Sequence, residues 1–149
     1  MAAELPFIDE HAVEIDAPPE RVWPALCGVA GGSFGRPGAH RFARLLGAVP
    51  LEARGDPGVA GSTLAGFRVA HADPGHKLAL AGRHRFSRYA LTFLIDDLGQ
   101  GRSRVRAESR AEFQGPHGRA YGLLVIGTRG HVLAVRRILR AVRERAERE

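Results

Sequence analysis

Cysteine, lysine and tryptophan are almost missing from this chain of 149 residues, which contains one of each. The single cysteine, Cys27, excludes an internal disulfide and a cysteine-based metal site. No apolar run reaches the roughly 18 residues that indicate a transmembrane helix. The first residues have neither the basic start nor the apolar stretch of a signal peptide. We therefore expect no transmembrane segment, and the cytoplasm is the default compartment.

Acidic residues are fewer than basic ones, which gives a net charge of +6 and a pI of about 10.8. One interpretation is a polyanionic partner or an anionic membrane surface. The other is compositional, because all but one of the 22 basic residues are arginine, Ala and Gly are abundant, and acidic residues are interspersed. We favour the second interpretation and predict no nucleic-acid partner. The length and the 44% hydrophobic content predict one globular domain over residues 1–149.

The stretch that organises the chain is its last, residues 117–149, which we predict to be one long amphipathic helix. Its apolar stripe follows spacings of three and four residues. The stripe consists of Tyr121, Leu124, Val125, Thr128, Val132, Val135, Leu139, Val142 and Ala146. Arginines between Arg136 and Arg148 lie on the opposite side, and we interpret them as a solvated face. A single helix cannot bury its own stripe, so the preceding residues must supply an apolar surface.

Alternating residues before this helix predict strands. The first strand covers residues 11–17, with His11, Val13 and Ile15 facing inward. Either Asp16 or the pair Pro18 and Pro19 then opens a helix that Gly28 ends. Later strands are predicted at residues 62–72, 77–86, 88–96 and 102–113. The glycine-rich region 31–61 predicts loops, with a short helix at 41–46 and a short strand at 49–53.

The chain resembles the START-like superfamily, also called SRPBCC or the polyketide cyclase/dehydratase and lipid-transport group. Four features carry the likeness, and their order covers nearly the whole chain. They are HAVEIDAPPERVWPAL at residues 11–26, Gly61-Ser62-Thr63 at the start of a strand, AHADPGHKLAL at residues 70–80, and the terminal helix. The resemblance implies an α+β helix-grip fold. In that fold a curved antiparallel sheet wraps around a long C-terminal α-helix, with one or two short helices after the first strand.

The resemblance also implies a cavity between the sheet and the C-terminal helix. Small inward residues on the last strand, Ala107, Ser109 and Ala111, agree with open space there. We predict that the cavity binds a small hydrophobic or amphipathic ligand, such as a lipid, polyketide or aromatic metabolite, and requires no cofactor. The predicted cavity residues are Trp23, Phe42, Phe67, His84, Tyr89, Phe93, Tyr121 and Val125.

Two other functions remain open at this stage. Members of this superfamily include cyclase/dehydratase enzymes, which would need an acid/base pair in the cavity. His84 and His11 are inward candidates for such chemistry, although a histidine with satisfied hydrogen bonds is the favoured interpretation of each. The other function is a non-catalytic domain that uses its basic surface. His71, His76 and His84 do not have metal-ligand spacing, so we predict no metal site and assign no catalytic residue.

Overall fold

The computed structural model describes residues 5–34, 55, 58–64, 67–84, 87–113, 115–127 and 130–148. The helix predicted at 41–46, the strand predicted at 49–53 and Phe42 lie outside these residues. The elements, in chain order, are β1 (Phe7–Ile15), α1 (Pro19–Phe34), β2 (Thr63–Leu64), β3 (Phe67–Asp73), β4 (Lys77–His84), β5 (Ser87–Gly99), β6 (Arg102–Phe113), α2 (Gly115–Gly127) and α3 (Gly130–Arg148).

The strands form one antiparallel sheet of six in the order β1-β6-β5-β4-β3-β2. Its alternation is that of a sheet with one face covered: on β6, Val105 and Ala107 are buried, whereas Arg104 and Arg106 between them are partly exposed. The sheet is curved, and we call the face that carries Val105 and Ala107 the concave face. Helices α1 and α3 pack against each other and against this face. The predicted helix-grip α+β fold is therefore confirmed.

Helix α1 extends past the predicted stop at Gly28 and ends at Phe34. Val29 and Ala30 continue its buried face, at 8% and 0% exposure, so the apolar contact favours helix beyond the glycine. Gly28 faces α3, where the guanidinium of Arg145 occupies the space that a Cβ would take. The glycine is thus a point of close side-chain approach inside the helix, and the predicted boundary was wrong.

The pattern at residues 62–72 predicts one strand with Phe67, Val69 and His71 on one face, and both predictions were wrong. This stretch contributes two strands, β2 and β3, which pair with each other antiparallel, with Leu64 opposite Phe67. A bulge then lies between Val69 and His71, where the register shifts by one residue. The shift turns Ala72, opposite Leu78, toward the concave face and leaves His71 exposed. His71 therefore does not share the face of Val69.

The C-terminal segment consists of two described helices, α2 and α3, and residues 128–129 between them lie outside the described ranges. The predicted stripe is confirmed on α3, where Val135, Leu139 and Val142 are buried. Ile138, which was not in the predicted stripe, is buried as well. No helix in the described residues is both long and apolar enough to cross a lipid bilayer.

Candidate functional site

Four cross-strand positions form the last row of the concave face, at the end of the sheet near α2. Tyr89 on β5 lies between Gly82 on β4 and Ala111 on β6, each directly paired with it. The ring of Phe67, from β3, meets the ring of Tyr89 edge to face, with 5.0 Å between centroids and 72° between planes. Two strands that flank a third are roughly 10 Å apart. The rings meet because Gly82, on the intervening strand, has no side chain to separate them.

The burial of this row differs from that of the next row inward. All four residues of the last row are only partly buried. In the next row, Leu80 and Val69 are 0% and 1% exposed. The aromatic pair therefore marks a place where the described core does not close the concave face.

Beside this row, an acidic residue and a histidine project from β1 onto the same face. Asp9 is paired with Ser109, and His11 with Ala107, and directly opposed residues of antiparallel strands point to the same side. The His11 Nε2 atom is 3.1 Å from Asp9 Oδ2, and the two side chains are 19% and 24% exposed. A carboxylate accepts hydrogen bonds, so His11 Nε2 is the donor, and the contact orients the imidazole ring.

Ser109 adds an unusual polar group next to this pair. The residue is 4% exposed, and its Oγ is buried without a hydrogen-bond partner in the described part of the chain. A buried hydroxyl without a partner costs free energy, about 1–3 kcal/mol in mutational series. Ser103 on the same strand and face shows the ordinary arrangement, because its Oγ donates to the Ala17 carbonyl at 2.7 Å. Among the described residues, the Ser109 hydroxyl is therefore a buried polar group on this face without a hydrogen-bond partner.

The sequence pattern identified only part of this cluster. His11 and Ser109 were predicted to face inward, as observed, but the strand was predicted to begin at His11 and Asp9 was missed. The register of β1 shifts only beyond Asp9, toward Phe7, so the alternation is still regular at Asp9. Extending the alternation of His11, Val13 and Ile15 by two residues toward the N-terminus would have placed Asp9 on the same face.

The predicted cavity residues are spread over several regions. Phe67 and Tyr89 are brought together, and Phe93 is fully buried in the middle of the core, between Leu78 and Ala107. Trp23 lies elsewhere. Phe42 and the side chains of His84, Tyr121 and Val125 are outside the described residues. The predicted site as a whole remains a prediction.

Trp23 borders a pocket of about 350 Å³ at the opposite end of β5 from Tyr89. Ile95 contributes to its wall, and Glu20, His76 and Asp97 supply polar groups. This pocket is not the predicted space between the sheet and the C-terminal helix. Within the described ranges, no group of three or more histidine, cysteine or acidic side chains is arranged to hold a metal ion.

Several arginines of the convex face form ion pairs. Arg106 forms two hydrogen bonds to Asp96, at 2.7 and 3.1 Å, and a third to Glu10 at 3.2 Å. The hydrogen bonds that Arg106 donates lower the pKa of Asp96 below its ordinary value, and the same bonds, accepted by Asp96, raise the pKa of Arg106. Arg102 and Arg104 both contact Glu14. Arg102, Arg104 and Arg106 are therefore each paired with a carboxylate of the protein.

Comparison with known proteins gives a fold. No protein-family model and no curated protein sequence matches the chain. Among solved structures, the Zhui aromatase/cyclase from Streptomyces sp. R1128 is 18% identical, with a TM-score of 0.58 and coverage of 97% of this chain and 95% of that one. Truncated norcoclaurine synthase from Thalictrum flavum is 13% identical, with a TM-score of 0.57 and coverage of 96% of each chain.

A third similar structure is TTHA0849 from Thermus thermophilus, which is 20% identical, with a TM-score of 0.56 and coverage of 95% of this chain and 97% of that one. The chain has the START-like (SRPBCC) fold. The likeness extends along almost the full length of each of these three proteins. At these identities it establishes the architecture of the chain, whose chemistry must be argued from its own residues.

Proposed function

We propose that this START-like protein, as a single domain over residues 1–149, binds a small hydrophobic or amphipathic molecule between its concave face and its C-terminal helices. The observation that carries the proposal is the buried, unpartnered hydroxyl of Ser109 beside the partly buried Phe67–Tyr89 pair. Ligand sites combine an apolar surface with a few polar groups that fix orientation. Phe67 and Tyr89 supply the apolar surface, and the Asp9–His11 pair together with Ser109 supplies the polar groups.

The position of the fold's core supports this assignment. Helices α1 and α3 bury the part of the concave face around Leu78, Phe93 and Val105, all at 0% exposure. The row of Phe67 and Tyr89 lies beyond that part and has small neighbours, Gly82 and Ala111. Covering these rings with an apolar ligand would remove apolar surface from water, at about 25 cal/mol per Å².

Naphthalene is a suitable probe, since it is apolar and has no hydrogen-bonding group. We expect it to bind the full-length protein, with chemical-shift changes in the NMR spectrum at Tyr89 and Ala111. Phe67→Ala should weaken that binding. Phe7→Ala is the matched control, because Phe7 is 55% exposed, pairs with Arg110 and lies under its guanidinium. Absence of naphthalene binding, or equal loss in both variants, would overturn the proposal.

Native mass spectrometry provides an independent measurement. The mass of the freshly purified native protein is compared with that of the denatured chain. Excess mass that extracts into organic solvent would support a bound apolar molecule and allow its chemical identification.

An acid/base enzyme is a second candidate, and the Asp9–His11 contact is the observation that favours it. A carboxylate that accepts from one imidazole nitrogen fixes the ring and leaves the other nitrogen to take or give a proton. Two of the similar structures are named as enzymes, an aromatase/cyclase and norcoclaurine synthase. For this chain we infer that His11 would be the general base, acting on a carbonyl compound held against the aromatic row.

Deuterium exchange at carbon 2 of 1-tetralone tests this second candidate. Removal of that proton requires a base next to the bound ketone, and exchange in heavy water is followed by NMR. Wild-type protein should accelerate exchange relative to buffer, and His11→Phe should remove the acceleration while the ketone still binds. Binding without acceleration would leave ligand binding as the function and exclude His11 as a base toward this ketone.

A further inference from the structure

The polar cluster on the concave face offers a defined set of hydrogen-bonding atoms. His11 Nε2 is committed as a donor to Asp9 Oδ2 at 3.1 Å. In the neutral imidazole, Nδ1 is then an acceptor. The Ser109 hydroxyl can donate and accept, and no partner uses it in the described part of the chain. The cluster therefore presents one imidazole acceptor and one unused hydroxyl.

The pairing of β1 with β6 places His11 Nδ1 and the Ser109 hydroxyl close enough for one polar group of a ligand to contact both. Ser109 is opposite Asp9, and His11 is two residues further along β1 on the same face. Such diagonal neighbours in an antiparallel pair are about 7–8 Å apart at the backbone, a span that two side chains and one ligand oxygen bridge. Tyr89 lies diagonally on the other side of Ser109, one row toward the open end. An aromatic ligand body over Tyr89 thus directs its polar end to Ser109 and His11.

We propose that Asp9, His11 and Ser109 form a recognition site for a neutral hydroxyl group, and that the ligand of this protein is a phenol or enol and not a carboxylic acid. This inference rests on the proposed function, because the hydroxyl must belong to a molecule bound on the concave face. A phenolic O–H donates to His11 Nδ1, and its oxygen accepts from Ser109 Oγ. Both unused groups of the cluster are then satisfied by one ligand atom.

The charge of Asp9 gives the site its selectivity. A ligand carboxylate at Ser109 would lie directly across the strand pair from the Asp9 carboxylate. Two like charges at such close range in a partly buried site destabilise each other. The His11 ring is hydrogen-bonded to Asp9 through Nε2, and in its neutral form it offers an acceptor, Nδ1, to a ligand. An ether in place of the hydroxyl loses the donor and leaves Nδ1 without a partner.

Three probes with one aromatic body separate these cases: 2-naphthol, 2-methoxynaphthalene and 2-naphthoate. Their affinities for the full-length protein are measured by calorimetry or NMR titration. We expect 2-naphthol to bind about tenfold more tightly than the ether, which is the scale of one or two hydrogen bonds. We expect 2-naphthoate to be the weakest. NMR signals of the His11 ring and the Ser109 amide should shift with 2-naphthol and much less with the ether.

Ser109→Ala and Ser103→Ala form a matched pair of variants, since both remove a buried serine hydroxyl from the same face of β6. Ser109→Ala should reduce the preference for naphthol over the ether to about twofold or less, with an unchanged or higher melting temperature, because the lost hydroxyl had no partner. Ser103→Ala should lower the melting temperature and keep the preference. If Ser109 had only a structural role in the core, its substitution would not reduce the preference for naphthol while leaving the melting temperature unchanged or higher.

Each remaining outcome decides against the inference, and the outcomes separate it from the proposed function. Equal binding of naphthol and ether to wild type would overturn the hydroxyl site and leave apolar binding standing. Tightest binding of 2-naphthoate would show an anion site and overturn the proposed selectivity. Failure of all three probes to bind would overturn both. If a variant does not fold, the chemical shifts of the wild-type protein still distinguish these outcomes.

Discussion

The α-carbon of Gly122 lies directly against the ring of Phe113. A Cβ placed on Gly122 would be 3.0 Å from the ring Cγ and 3.1 and 3.2 Å from the two Cδ atoms. Gly122 belongs to α2 and Phe113 is the last residue of β6, so this contact joins the helix to the sheet beside the candidate site. The close approach of the Phe113 ring therefore explains why glycine, a poor helix former, occupies position 122 in α2.

We expect Gly122→Ala to destabilise the protein by about 1–2 kcal/mol in chemical denaturation. Overpacking of a tight contact costs about 1–3 kcal/mol, and the better helix propensity of alanine returns up to about 1. The ring must move by a few tenths of an ångström, and it is held at the end of a strand.

Gly28→Ala is the control for this substitution. The three atoms nearest to its Cβ would all belong to the guanidinium of Arg145, which is an exposed and flexible side chain that can move into solvent. The expected result is equal stability, or a gain of up to about 1 kcal/mol from helix propensity. A larger loss for Gly28→Ala than for Gly122→Ala would contradict the assignment of the two contacts.

The Asp96–Arg106 pair predicts a pH dependence with a definite sign. The folded-state pKa of Asp96 is lowered by its hydrogen bonds to Arg106. The stabilisation is present above the unfolded-state pKa of aspartate, about 3.9, and is lost as the pH falls through the lower folded value. Carboxyl NMR titration of wild-type protein should give a midpoint for Asp96 below that of an unperturbed aspartate.

Arg106→Gln should move this midpoint upward toward the ordinary aspartate value. Arg102→Gln is the control, since Arg102 contacts Glu14 and not Asp96. Because both partners are about one-third exposed, the effect on stability is small, and the titration midpoint is the sensitive measurement. An Asp96 midpoint that did not differ between wild type and Arg106→Gln would refute this cause of the shift.

The buried hydroxyl of Ser103 joins two parts of the fold, and its removal should be costly. Its hydrogen bond reaches the carbonyl of Ala17, between β1 and α1, and both residues are 0% exposed. Ser103→Ala leaves that carbonyl buried without its partner, which costs about 1–3 kcal/mol. Thermal or urea unfolding measures the loss. Ser103→Thr keeps the hydroxyl that donates to Ala17 and should retain more stability than Ser103→Ala.

Sequence patterns that repeat over many residues predicted their elements, whereas features that depend on a single residue were missed. Strict alternation on β6 and the stripe of α3 are repeated over many residues, so both were recovered from sequence. The bulge between Val69 and His71 inserts one residue, which a period of two cannot detect and which reverses the face of everything after it. Resemblance to a known superfamily supplied the arrangement of helix and sheet, which periodicity alone does not determine.

The candidate site was harder to predict because it depends on pairing between distant strands. Asp9 and Ser109 are 100 residues apart in the chain and become neighbours only through the register of β1 on β6. His11 was visible as an inward residue, but its partner precedes the predicted start of the strand. No sequence pattern distinguishes Ser109 from Ser103, since both are small inward residues. Their difference lies in whether a carbonyl is within reach.

In the turn between β5 and β6, we expect that replacing the exposed residue Gln100 stabilises the protein. Gln100 has a φ of 55°, between Gly99 and Gly101 at 80° and 74°. A left-handed backbone costs a residue with a long side chain roughly 1 kcal/mol, whereas glycine adopts it freely and asparagine at a lower cost. Gln100→Gly removes this cost, but part of the resulting stabilisation is lost because glycine also makes the unfolded chain more flexible. We therefore expect about 0.5 kcal/mol from glycine and a similar gain from asparagine.

Urea denaturation of both variants measures the gain, and Gly99→Ala serves as the opposite control. Gly99 has a φ of 80° and its amide donates to Asp97 Oδ1 at 2.9 Å, so alanine there imposes strain on a turn that is already held in place. It should lose about 1 kcal/mol or more. Relief of strain is the shared cause of the Gln100→Gly and Gln100→Asn gains. A gain from asparagine alone would therefore point to a new side-chain hydrogen bond, and no gain from either would show that the turn bears no strain at Gln100.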